Sequence, residues 1–412
     1  MPEKIVITGM GTVNPLGLSV NETWRNAIKG ISGIGPLTLF DAQDYLVNLA
    51  GEVKDFDPTR YMDEKEARRR DRHQQFASAA TLEAIQQAHL EVGEDQSGRV
   101  GVIVSSAIGG IISISNNIDI LREQGPRRVS PFIIPQLMAN GAAGLIAIDY
   151  HFQGPCFSVA SACASGADAI GIAKLLISSG LIDAAITGGS DAIITEIGVA
   201  AFDRLGAVSR RNLDDERAPQ PFDLNRDGFV IGEGAAILVL EREGWAKNRG
   251  ATILAELAGY GSTADAYHIT APSENGSGGS KAIRIALEQA QLAVDEVGYI
   301  NAHGTATQLN DVSETRAIKA AFGESAYRIP ISSTKSMTGH MMGASGALEL
   351  IFCTLAIRNN MLPPTINYRT PDPDCDLDYI PNEARLVKIN SAASNAFGFG
   401  GHNAVLVVKE YG

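Results

Sequence analysis

Residues 155–180 read P-C-F-S-V-A-S-A-C-A-S-G-A-D-A-I-G-I-A-K-L-L-I-S-S-G, and this stretch decides the fold. Its first part is a run of small and β-branched residues that ends at Ala162 and predicts a short buried strand. From Cys163 onward the apolar residues recur at helical spacing, and Gly180 is a typical helix stop. The stretch therefore predicts a strand that turns directly into a helix, with Cys163 at the junction.

Cys163 is the first candidate for chemistry, because a thiol at a helix N-terminus faces unpaired backbone N–H groups and the positive end of the helix dipole. Both favour the thiolate, which is the nucleophilic form. The small residues on either side allow a substrate to approach closely. The alternative is that Cys163 is a small core residue, as most free cysteines are. Two histidine motifs further along the chain favour the reactive interpretation.

The composition is that of an ordinary globular chain. Its 412 residues are 45% hydrophobic and 20% charged, which suffices for a large core and favours two or three domains. The net charge of −13 disfavours nucleic acids and anionic membranes as partners. No apolar run is long enough to span a bilayer, and the N-terminal residues lack the apolar core of a signal peptide. Four cysteines without metal-site spacing are typical of a reducing compartment, so we expect a cytoplasmic protein.

Two basic clusters interrupt this acidic chain, one within residues 65–72 and one at Arg127 and Arg128. On charge pattern alone each is best interpreted as a solvated surface. The alternative is a docking site for an acidic partner. The first cluster also lies in a predicted helix, because Asp63 with Glu66 has the pattern of a helix start. Apolar residues continue that helix at four-residue spacing: Phe76, Ala80, Ala84 and Ala88.

The second part of the chain repeats the layout of the first. Residues 253–261 resemble the strand and glycines that open the chain, and residues 329–357 repeat the strand-to-helix layout of the opening quotation. We therefore predict two similar α/β halves, 1–250 and 251–412, that pack as one body. Alternating strands and helices favour mixed sheets covered by helices. Helices this rich in Gly and Ala favour burial between two sheets.

Three further motifs stand out beyond the cysteine. Residues 301–307 (N-A-H-G-T-A-T) carry His303, residues 335–340 (K-S-M-T-G-H) carry His340, and residues 394–401 (S-N-A-F-G-F-G-G) form a glycine-rich loop. Each opens a loop or helix just after a predicted strand, where α/β proteins place their ligands. A lone histidine is more often structural, but together with Cys163 these motifs predict one shared site.

Two other motifs do not carry a function. Gly9-Met10-Gly11 follows the first strand, but it lacks the third glycine of a dinucleotide-binding loop. Residues 332–335 match the S-x-x-K of penicillin-binding acyl-enzymes, but the accompanying K-T-G and S-D-N motifs are missing. We reject the first interpretation and give the second, a different class of acyl-enzyme, little weight.

The A-C-A-S-G, N-A-H-G-T-x-T, K-S-x-x-G-H and N-x-F-G-F-G-G motifs, in this order, resemble those of the β-ketoacyl-acyl-carrier-protein synthases. The resemblance runs from Lys4 to the C-terminus. Residues 125–132 and 265–272 are most similar to the synthase II group, the elongation condensing enzymes. The resemblance implies an α/β, thiolase-like five-layer αβαβα fold with two pseudo-repeated halves, which agrees with the repeat described above.

The resemblance also implies roles for individual residues. Cys163 accepts an acyl chain as a thioester, and His303 and His340 act on malonyl-acyl carrier protein to promote loss of CO2. The backbone N–H groups of Cys163 and Phe399 form an oxyanion hole, and Lys335 organises His340. No cofactor is required for this chemistry. The expected reaction is a decarboxylative Claisen condensation in fatty acid elongation, and a C2 homodimer is the expected assembly.

Further residues are assigned by the same resemblance. The substrate-binding residues are Ile108, Phe202, Thr305, Thr307 and Phe397. The carrier-protein-binding residues are Lys65, Arg68, Arg69, Arg127 and Arg128. A structural monovalent cation is implied at Asn301, Glu349, Ser394 and Asn395. From the residues themselves, Glu349 is equally well interpreted as a buried carboxylate paired with Lys335.

Two other functions stay open at this point. One is a ketosynthase of a specialised polyketide-type pathway, since residues 203–206 and 308–310 and His402 depart from the family pattern and leave the chain-length preference undecided. The other is a non-catalytic chain-length partner subunit, which the presence of Cys163 argues against. A thiolase or a CoA-dependent starter enzyme would share the fold, but the K-S-x-x-G-H motif and the basic clusters favour a carrier-protein enzyme.

Overall fold

The computed structural model describes residues 3–212 and 218–412. The strands, in chain order, are β1 (Ile5–Val13), β2 (Gly35–Pro36), β3 (Leu49–Ala50), β4 (Val100–Ser105), β5 (Cys156–Phe157), β6 (Ala184–Asp191), β7 (Gly234–Arg242), β8 (Ala255–Ala264), β9 (Ile300–Asn301), β10 (Ile331–Ser332), β11 (Met361–Leu362), β12 (Arg385–Leu386), β13 (Ser391–Gly398) and β14 (His402–Lys409). The helices are α1 (Val20–Ile28), α2 (Glu64–Arg69), α3 (Arg72–Ala88), α4 (Ile111–Gln124), α5 (Ile133–Leu137), α6 (Gly141–Tyr150), α7 (Ser165–Ser178), α8 (Glu196–Arg204), α9 (Glu243–Asn248), α10 (Ser277–Ala290), α11 (Gln308–Phe322), α12 (Lys335–Thr338) and α13 (Ser345–Asn359).

The main sheet has ten strands in the order β10-β9-β13-β14-β8-β1-β7-β6-β4-β5. Its two halves meet where β1 pairs with β8, through Val6 with Glu256 and Ile7 with Ala255. The same series of strand pairings leads outward from this junction on both sides. On each side the first two pairings are antiparallel and the next two are parallel. The sheet therefore contains the repeat that the sequence predicts.

The helices form layers around this sheet. α7 packs against β6 and β4 of the first half and β14 of the second, and α13 packs against β13 and β7, so both helices lie between the halves. α3 and α6 cover the outer face of the first half, and α10 covers the outer face of the second with α11 packed against it. The result is the predicted five-layer αβαβα fold. Small residues allow the inner helices to approach closely, since a Cβ on Gly166 would lie 2.3 Å from the carbonyl oxygen of Gly343.

Both inner helices begin with the same kind of turn. A residue in the left-handed region opens a 3₁₀ turn (Ala162–Ala164 or Met342–Ala344), and the α-helix follows from a serine. In each case that serine hydroxyl accepts a hydrogen bond from the backbone N–H four residues earlier. The matching positions are Ser161 and Met341, Ala162 and Met342, Cys163 and Gly343, and Ser165 and Ser345. Cys163 thus occupies a position whose counterpart in the other half is a glycine.

The predicted buried strand before Cys163 is wrong in its length and its burial. β5 has two residues, Cys156 and Phe157, and both are exposed because β5 forms the edge of the sheet. Beyond them the backbone N–H of Val159 donates to the hydroxyl of Ser105 rather than to a strand backbone. That side-chain hydrogen bond ends the ladder and lets the chain turn inward toward Cys163.

The single helix predicted from Asp63 to Ala88 is in fact two helices. Asp63 caps α2 as predicted, but Arg70 is extended and α3 starts anew after Asp71. The Asp71 carboxylate accepts from the N–H of His73, and the Gln74 side chain reaches back to the Asp71 N–H, which completes a capping box. A second strong cap in mid-sequence interrupts a helix whose apolar spacing is otherwise continuous.

Candidate active site

The four predicted motifs meet at one cavity of about 260 Å³ at the junction of the two halves. Cys163, His303, His340 and Phe399 all contribute to its wall. The cysteine comes from the first half of the chain and the others from the second. The site therefore exists only because the halves pack together.

Four of the five residues predicted to contact substrate also line this cavity: Phe202, Thr305, Thr307 and Phe397. The fifth, Ile108, does not line this cavity. Ile108 is 39% exposed and lies outside the cavity wall. The turn that carries it is folded back on itself, because the Ser106 hydroxyl accepts from the N–H of Gly109 and Asp191 accepts from the N–H of Ala107.

The Cys163 thiol lies close to two backbone N–H groups. It sits in the 3₁₀ turn that precedes α7, and the N–H groups of Phe399 and of Cys163 itself both act to lower the pKa of the thiol. Backbone N–H groups near a reacting sulfur are the donors from which an oxyanion hole is built. When the sulfur carries an acyl group, the thioester oxygen can take the place of the sulfur as their acceptor.

The sequence-based expectation that the resting thiol is ionised is wrong. Burial raises the pKa of Cys163 to about 11, against the opposing effects of Lys335 and of the N–H of Phe399. Desolvation disfavours the thiolate more than these donors stabilise it. The resting nucleophile is therefore a neutral thiol that must lose its proton as it attacks.

This ionisation state gives a testable pH profile. We expect the rate of Cys163 alkylation by iodoacetamide to rise about tenfold per pH unit from pH 7 to 10, because the thiolate fraction rises tenfold per unit below the pKa. The measurement is intact mass against time, with Cys156→Ala as background to remove an exposed thiol. A rate that levels off by pH 8 would contradict the raised pKa and restore the thiolate interpretation.

His303 and His340 present two neutral imidazoles to the same space. Their ring centroids are 5.4 Å apart and the rings are nearly perpendicular, at 85°. Burial lowers the pKa of both rings well below its usual range, and the charge of Lys335 lowers it further. Both rings are therefore uncharged near pH 7, and each can donate one N–H to an oxygen without burying a formal charge.

Residues that the sequence analysis did not identify hold the backbone at His303 and the ring of His340. Glu314 on α11 accepts hydrogen bonds from the backbone N–H groups of His303 and Gly304 at 2.8 and 2.7 Å. Burial raises the pKa of Glu314 to about 7. The Nδ1 of His340 lies 3.1 Å from the hydroxyl of Ser345, which leaves its Nε2 for a substrate. The sequence did contain a signal for Glu314, since it is an acidic residue on the apolar side of the helix that follows the N-A-H-G-T-A-T motif.

Lys335 forms an ion pair with Glu349, and both side chains are almost fully buried. This pairing is one of the two interpretations that the sequence left open for Glu349. The pair keeps a positive charge next to the imidazoles and the thiol, where it opposes protonation of both rings. It thereby helps to keep the histidines neutral.

The predicted cation residues also lie together. Ser394 pairs with Asn301 between β13 and β9, and the Asn395 amide donates to Glu314. Three buried oxygens in this group lack a hydrogen-bond partner within residues 3–212 and 218–412: Glu349 Oε2, Ser394 Oγ and Asn395 Oδ1. Oxygen atoms of this kind suit an alkali cation. Over the same residues, no group of three or more His, Cys, Asp or Glu side chains is arranged as a metal site.

The basic clusters both lie on the surface. Lys65 and Arg68 on α2 are exposed, as are Arg127 and Arg128 in a short 3₁₀ turn after α4. Arg68 and Arg69 form ion pairs within α2, with Glu64 and Glu66 respectively. The Arg69 guanidinium also lies 4.9 Å from the centre of the Phe132 ring, which connects α2 to the segment that follows the second cluster.

The fold and the pairing of a half-buried thiol with two neutral imidazoles are those of the ketosynthases, the acyltransferases that form carbon–carbon bonds on a thiolase-like scaffold. Models of the beta-ketoacyl synthase N-terminal and C-terminal domains match residues 2–246 and 254–369. The chain belongs to the beta-ketoacyl synthase family.

Named relatives cover essentially the whole chain. It is 48% identical to 3-oxoacyl-[acyl-carrier-protein] synthase 2 of Staphylococcus aureus strain COL over 409 residues, which covers 99% of each chain. It is 47% identical to the synthase of the same name from Synechocystis sp., covering 99% of this chain and 98% of that one. The chain is thus a type II β-ketoacyl-acyl-carrier-protein synthase by similarity along its full length.

Solved structures show the same fold. A β-ketoacyl synthase from Burkholderia phymatum superposes with a TM-score of 0.92 at 36% identity, and both chains are covered completely. A type II polyketide ketosynthase in complex with its acyl-carrier protein, AntDE:AntF, superposes with a TM-score of 0.91 at 37% identity, again with complete coverage of both chains. Among the helices that the structure describes, none is both long and apolar enough to cross a membrane.

Proposed function

We propose that this protein elongates acyl chains carried by acyl carrier protein, through decarboxylative Claisen condensation with malonyl-acyl carrier protein. The observation that carries the proposal is the cavity in which Cys163 meets His303, His340 and Phe399. Each element serves a separate step of the reaction.

In the first step the Cys163 sulfur attacks the thioester carbonyl of the acyl-carrier substrate. A new C–S bond forms and the bond to the carrier thiol breaks. The proton lost by Cys163 is taken up by the departing thiolate, so the step is balanced without an external base. A thiol suits this role because it is both a soft nucleophile and a good leaving group. The two N–H donors stabilise the oxyanion that forms on the way.

In the second step malonyl-acyl carrier protein loses CO2. The electron pair of the broken C–C bond moves onto the α-carbon and the thioester oxygen, which accepts hydrogen bonds from His303 and His340. The carbanion then attacks the Cys163 thioester, a C–C bond forms, and Cys163 leaves as a thiolate that takes up one proton from solvent water. The product is a β-ketoacyl-acyl carrier protein. Neutral imidazoles suit this step because they donate N–H groups to the negatively charged enolate oxygen without the cost of burying a positive charge.

Turnover with a series of acyl-carrier substrates of increasing chain length tests the proposal. Condensation with saturated chains supports fatty acid elongation. The second candidate is a polyketide-type ketosynthase, favoured by the structural likeness to AntDE:AntF. Turnover confined to β-ketoacyl chains would select that candidate instead. Absence of turnover with every chain would leave the non-catalytic partner subunit.

We further propose that the basic clusters receive the acidic carrier protein. Lys65, Arg127 and Arg128 form no ion pair with an acidic side chain of residues 3–212 or 218–412, so their charge is available to a partner. The double variant Arg127→Glu/Arg128→Glu is expected to raise KM for carrier-bound substrate about tenfold or more, with little change in kcat. Steady-state kinetics at low and high salt measure this, since screening should shrink the effect.

Lys281→Glu is a matched control for the carrier-protein prediction, because Lys281 is an exposed basic residue on α10 in the other half of the fold. It changes the net charge by half as much as the double variant and should leave KM unaltered. A rise in KM about half as large, on a logarithmic scale, as that of the double variant would show that net charge, rather than a docking site, is responsible.

We propose a homodimer formed along the edge of the main sheet. β5 leaves its outer edge open, and large apolar side chains are exposed on α5 and α6, with Ile134 at 61% and Ile148 at 68%. A second copy of the chain could extend the sheet and cover this apolar surface. Light scattering during size-exclusion chromatography tests this, and a monomer at micromolar concentration would contradict it.

Two further assignments complete the proposal. A monovalent cation would be held by oxygens of Asn301, Glu349, Ser394 and Asn395, where it would stabilise the fold without entering the chemistry. Thermal unfolding in potassium, sodium and tetramethylammonium chloride tests this, and identical melting temperatures would contradict it. A cytoplasmic location suits the free thiols of Cys156, Cys163, Cys353 and Cys375, and fractionation of the source cells tests it.

A further inference from the structure

We propose that Asp168 is a positioning residue for the nucleophile, and that it fixes the Cys163 turn through hydrogen bonds from Ser161 and Tyr260. The test of this inference by acylation kinetics depends on the proposed condensation activity. A second test, by alkylation of Cys163, does not depend on it. The cavity wall does not include Asp168 or Tyr260, so neither is a candidate to touch substrate.

Asp168 is a buried carboxylate with no positive partner. It lies in the first turn of α7, is 6% exposed, and forms no ion pair with a basic residue of the described part of the chain. Its Oδ2 accepts from the Ser161 hydroxyl at 2.5 Å, and its Oδ1 accepts from the Tyr260 hydroxyl at 2.6 Å. A buried carboxylate held by two hydroxyl donors binds both of them firmly, because each hydrogen bond is charge-assisted.

Ser161 transmits this attachment to the nucleophile. It precedes the left-handed residue Ala162 (φ 50°), which in turn precedes Cys163. Inside the turn, the Ser161 carbonyl accepts from the N–H of Ala164, and the Ser161 N–H donates to the Ser165 hydroxyl. These contacts fix the shape of the turn. The hydrogen bond from the Ser161 hydroxyl to Asp168 fixes the position of the turn relative to α7.

The glycine-rich loop lies directly against this turn. A Cβ on Gly398 would be 2.9 Å from the Ser161 carbonyl oxygen and 3.0 Å from the Cys163 nitrogen. Phe399, which lines the same cavity wall as Cys163 and whose N–H favours the thiolate, is the next residue. A small displacement of Ser161 therefore changes the distance between the sulfur and one of its two donors.

Tyr260 connects the same carboxylate to the second half of the molecule. It belongs to β8, which pairs with β14, and β14 pairs with β13, the strand that ends at Gly398. Its ring lies flat on α7 at Gly171, where a Cβ would come within 2.3 Å of the ring. Through Tyr260, the turn from the first half is placed relative to the sheet of the second half that carries Phe399.

The test removes single atoms from this arrangement. In Tyr260→Phe and in Ser161→Ala we expect acylation of Cys163 to slow about tenfold, the effect expected when one charge-assisted hydrogen bond is lost. Decarboxylation of malonyl-acyl carrier protein should stay within about twofold, because His303 and His340 do not depend on this attachment. Asp168→Asn should act as a partial rescue relative to Asp168→Ala, since an amide can still hold one hydroxyl. Rapid-quench intact mass and release of CO2 measure the two steps separately.

Tyr379→Phe is the matched control. Its hydroxyl is buried and lies 2.7 Å from that of Thr315, in a core cluster separate from those that contain Cys163 and Ala164, so the variant loses the same atom outside the turn. Acylation in this variant should equal that of the unmodified protein. Equal loss of acylation and decarboxylation in Tyr260→Phe, or no loss of acylation, would overturn the proposal.

A measurement without substrate separates this inference from the proposed function. If the unmodified protein forms no acyl adduct with any carrier substrate, the proposed function fails, yet the turn can still be tested. Alkylation of Cys163 by iodoacetamide should then still change by at least about threefold in Tyr260→Phe and not in Tyr379→Phe, because thiol reactivity follows its local environment. Identical alkylation rates in all three proteins would overturn the role of Asp168 independently.

Discussion

Cys163→Ala is expected to abolish the covalent acyl adduct and all condensation, while decarboxylation of malonyl-acyl carrier protein persists. The acyl chain can be held only by a sulfur beside the two N–H donors, and alanine leaves nothing to acylate. The two histidines remain in place to act on the malonyl thioester. Intact mass spectrometry after incubation with acyl-carrier substrate measures the adduct, which should be one acyl group per chain in the unmodified protein and none in the variant.

Cys156→Ala is the appropriate comparison for that experiment. Cys156 is the exposed thiol at the sheet edge, and its loss should leave the acyl adduct intact. Cys353 and Cys375 are buried away from the cavity wall and need no control of their own. An unchanged adduct on the Cys163→Ala protein would end the proposed mechanism.

His303→Ala and His340→Ala are each expected to slow condensation by about 10²- to 10³-fold, the typical cost of removing one donor to a developing oxyanion. Acylation of Cys163 should slow far less, because its oxyanion is held by the backbone N–H groups of Cys163 and Phe399. Single-turnover measurements of adduct formation and of β-ketoacyl product separate the two rates. Each variant should also lose decarboxylation in proportion to condensation.

His89→Asn provides the reference for the histidine variants. His89 is exposed at the end of α3 with a positive φ of 49°, a conformation that asparagine also adopts readily. Its rates should match those of the unmodified protein. Should either active-site variant lose acylation and condensation equally, the rings would have to serve the first step as well, and their assignment to the malonyl substrate would be wrong.

The residues that meet in the cavity were largely predictable from short motifs, because the motifs lie at or near the ends of strands. The strands before His303 and His340 were located by their apolar runs, and strand ends in repeated α/β halves meet at a common edge. The strand before Cys163 is shorter than predicted, and residues 394–398 belong to β13 rather than to a loop. The repeat itself was visible in the sequence, since both halves use the same order of elements. This reasoning did not place Ile108, and it did not identify the residues that support the histidines. Ile108 does not reach the cavity of the single chain.

The ionisation of the site was not predictable from local sequence. A helix N-terminus next to Cys163 indicated a thiolate, but the cost of burial depends on how many groups from distant segments surround the sulfur. Glu314 and Asp168 illustrate the same limit. Each looks like an ordinary acidic helix residue in the sequence, yet each is buried against atoms contributed by other segments, such as the amide of Asn395 and the hydroxyl of Tyr260.

By itself the amino-acid sequence determined the α/β class, the two repeated halves and the residue types of the chemistry, because strand ends, helix spacing and glycine-rich loops are local properties. Only the tertiary structure decided that Cys163 rests as a thiol and that α2 and α3 are separate helices. It also decided which carboxylates orient the catalytic groups. Burial and hydrogen-bond geometry arise between residues far apart in the chain, and the two halves create them only when they pack around α7 and α13.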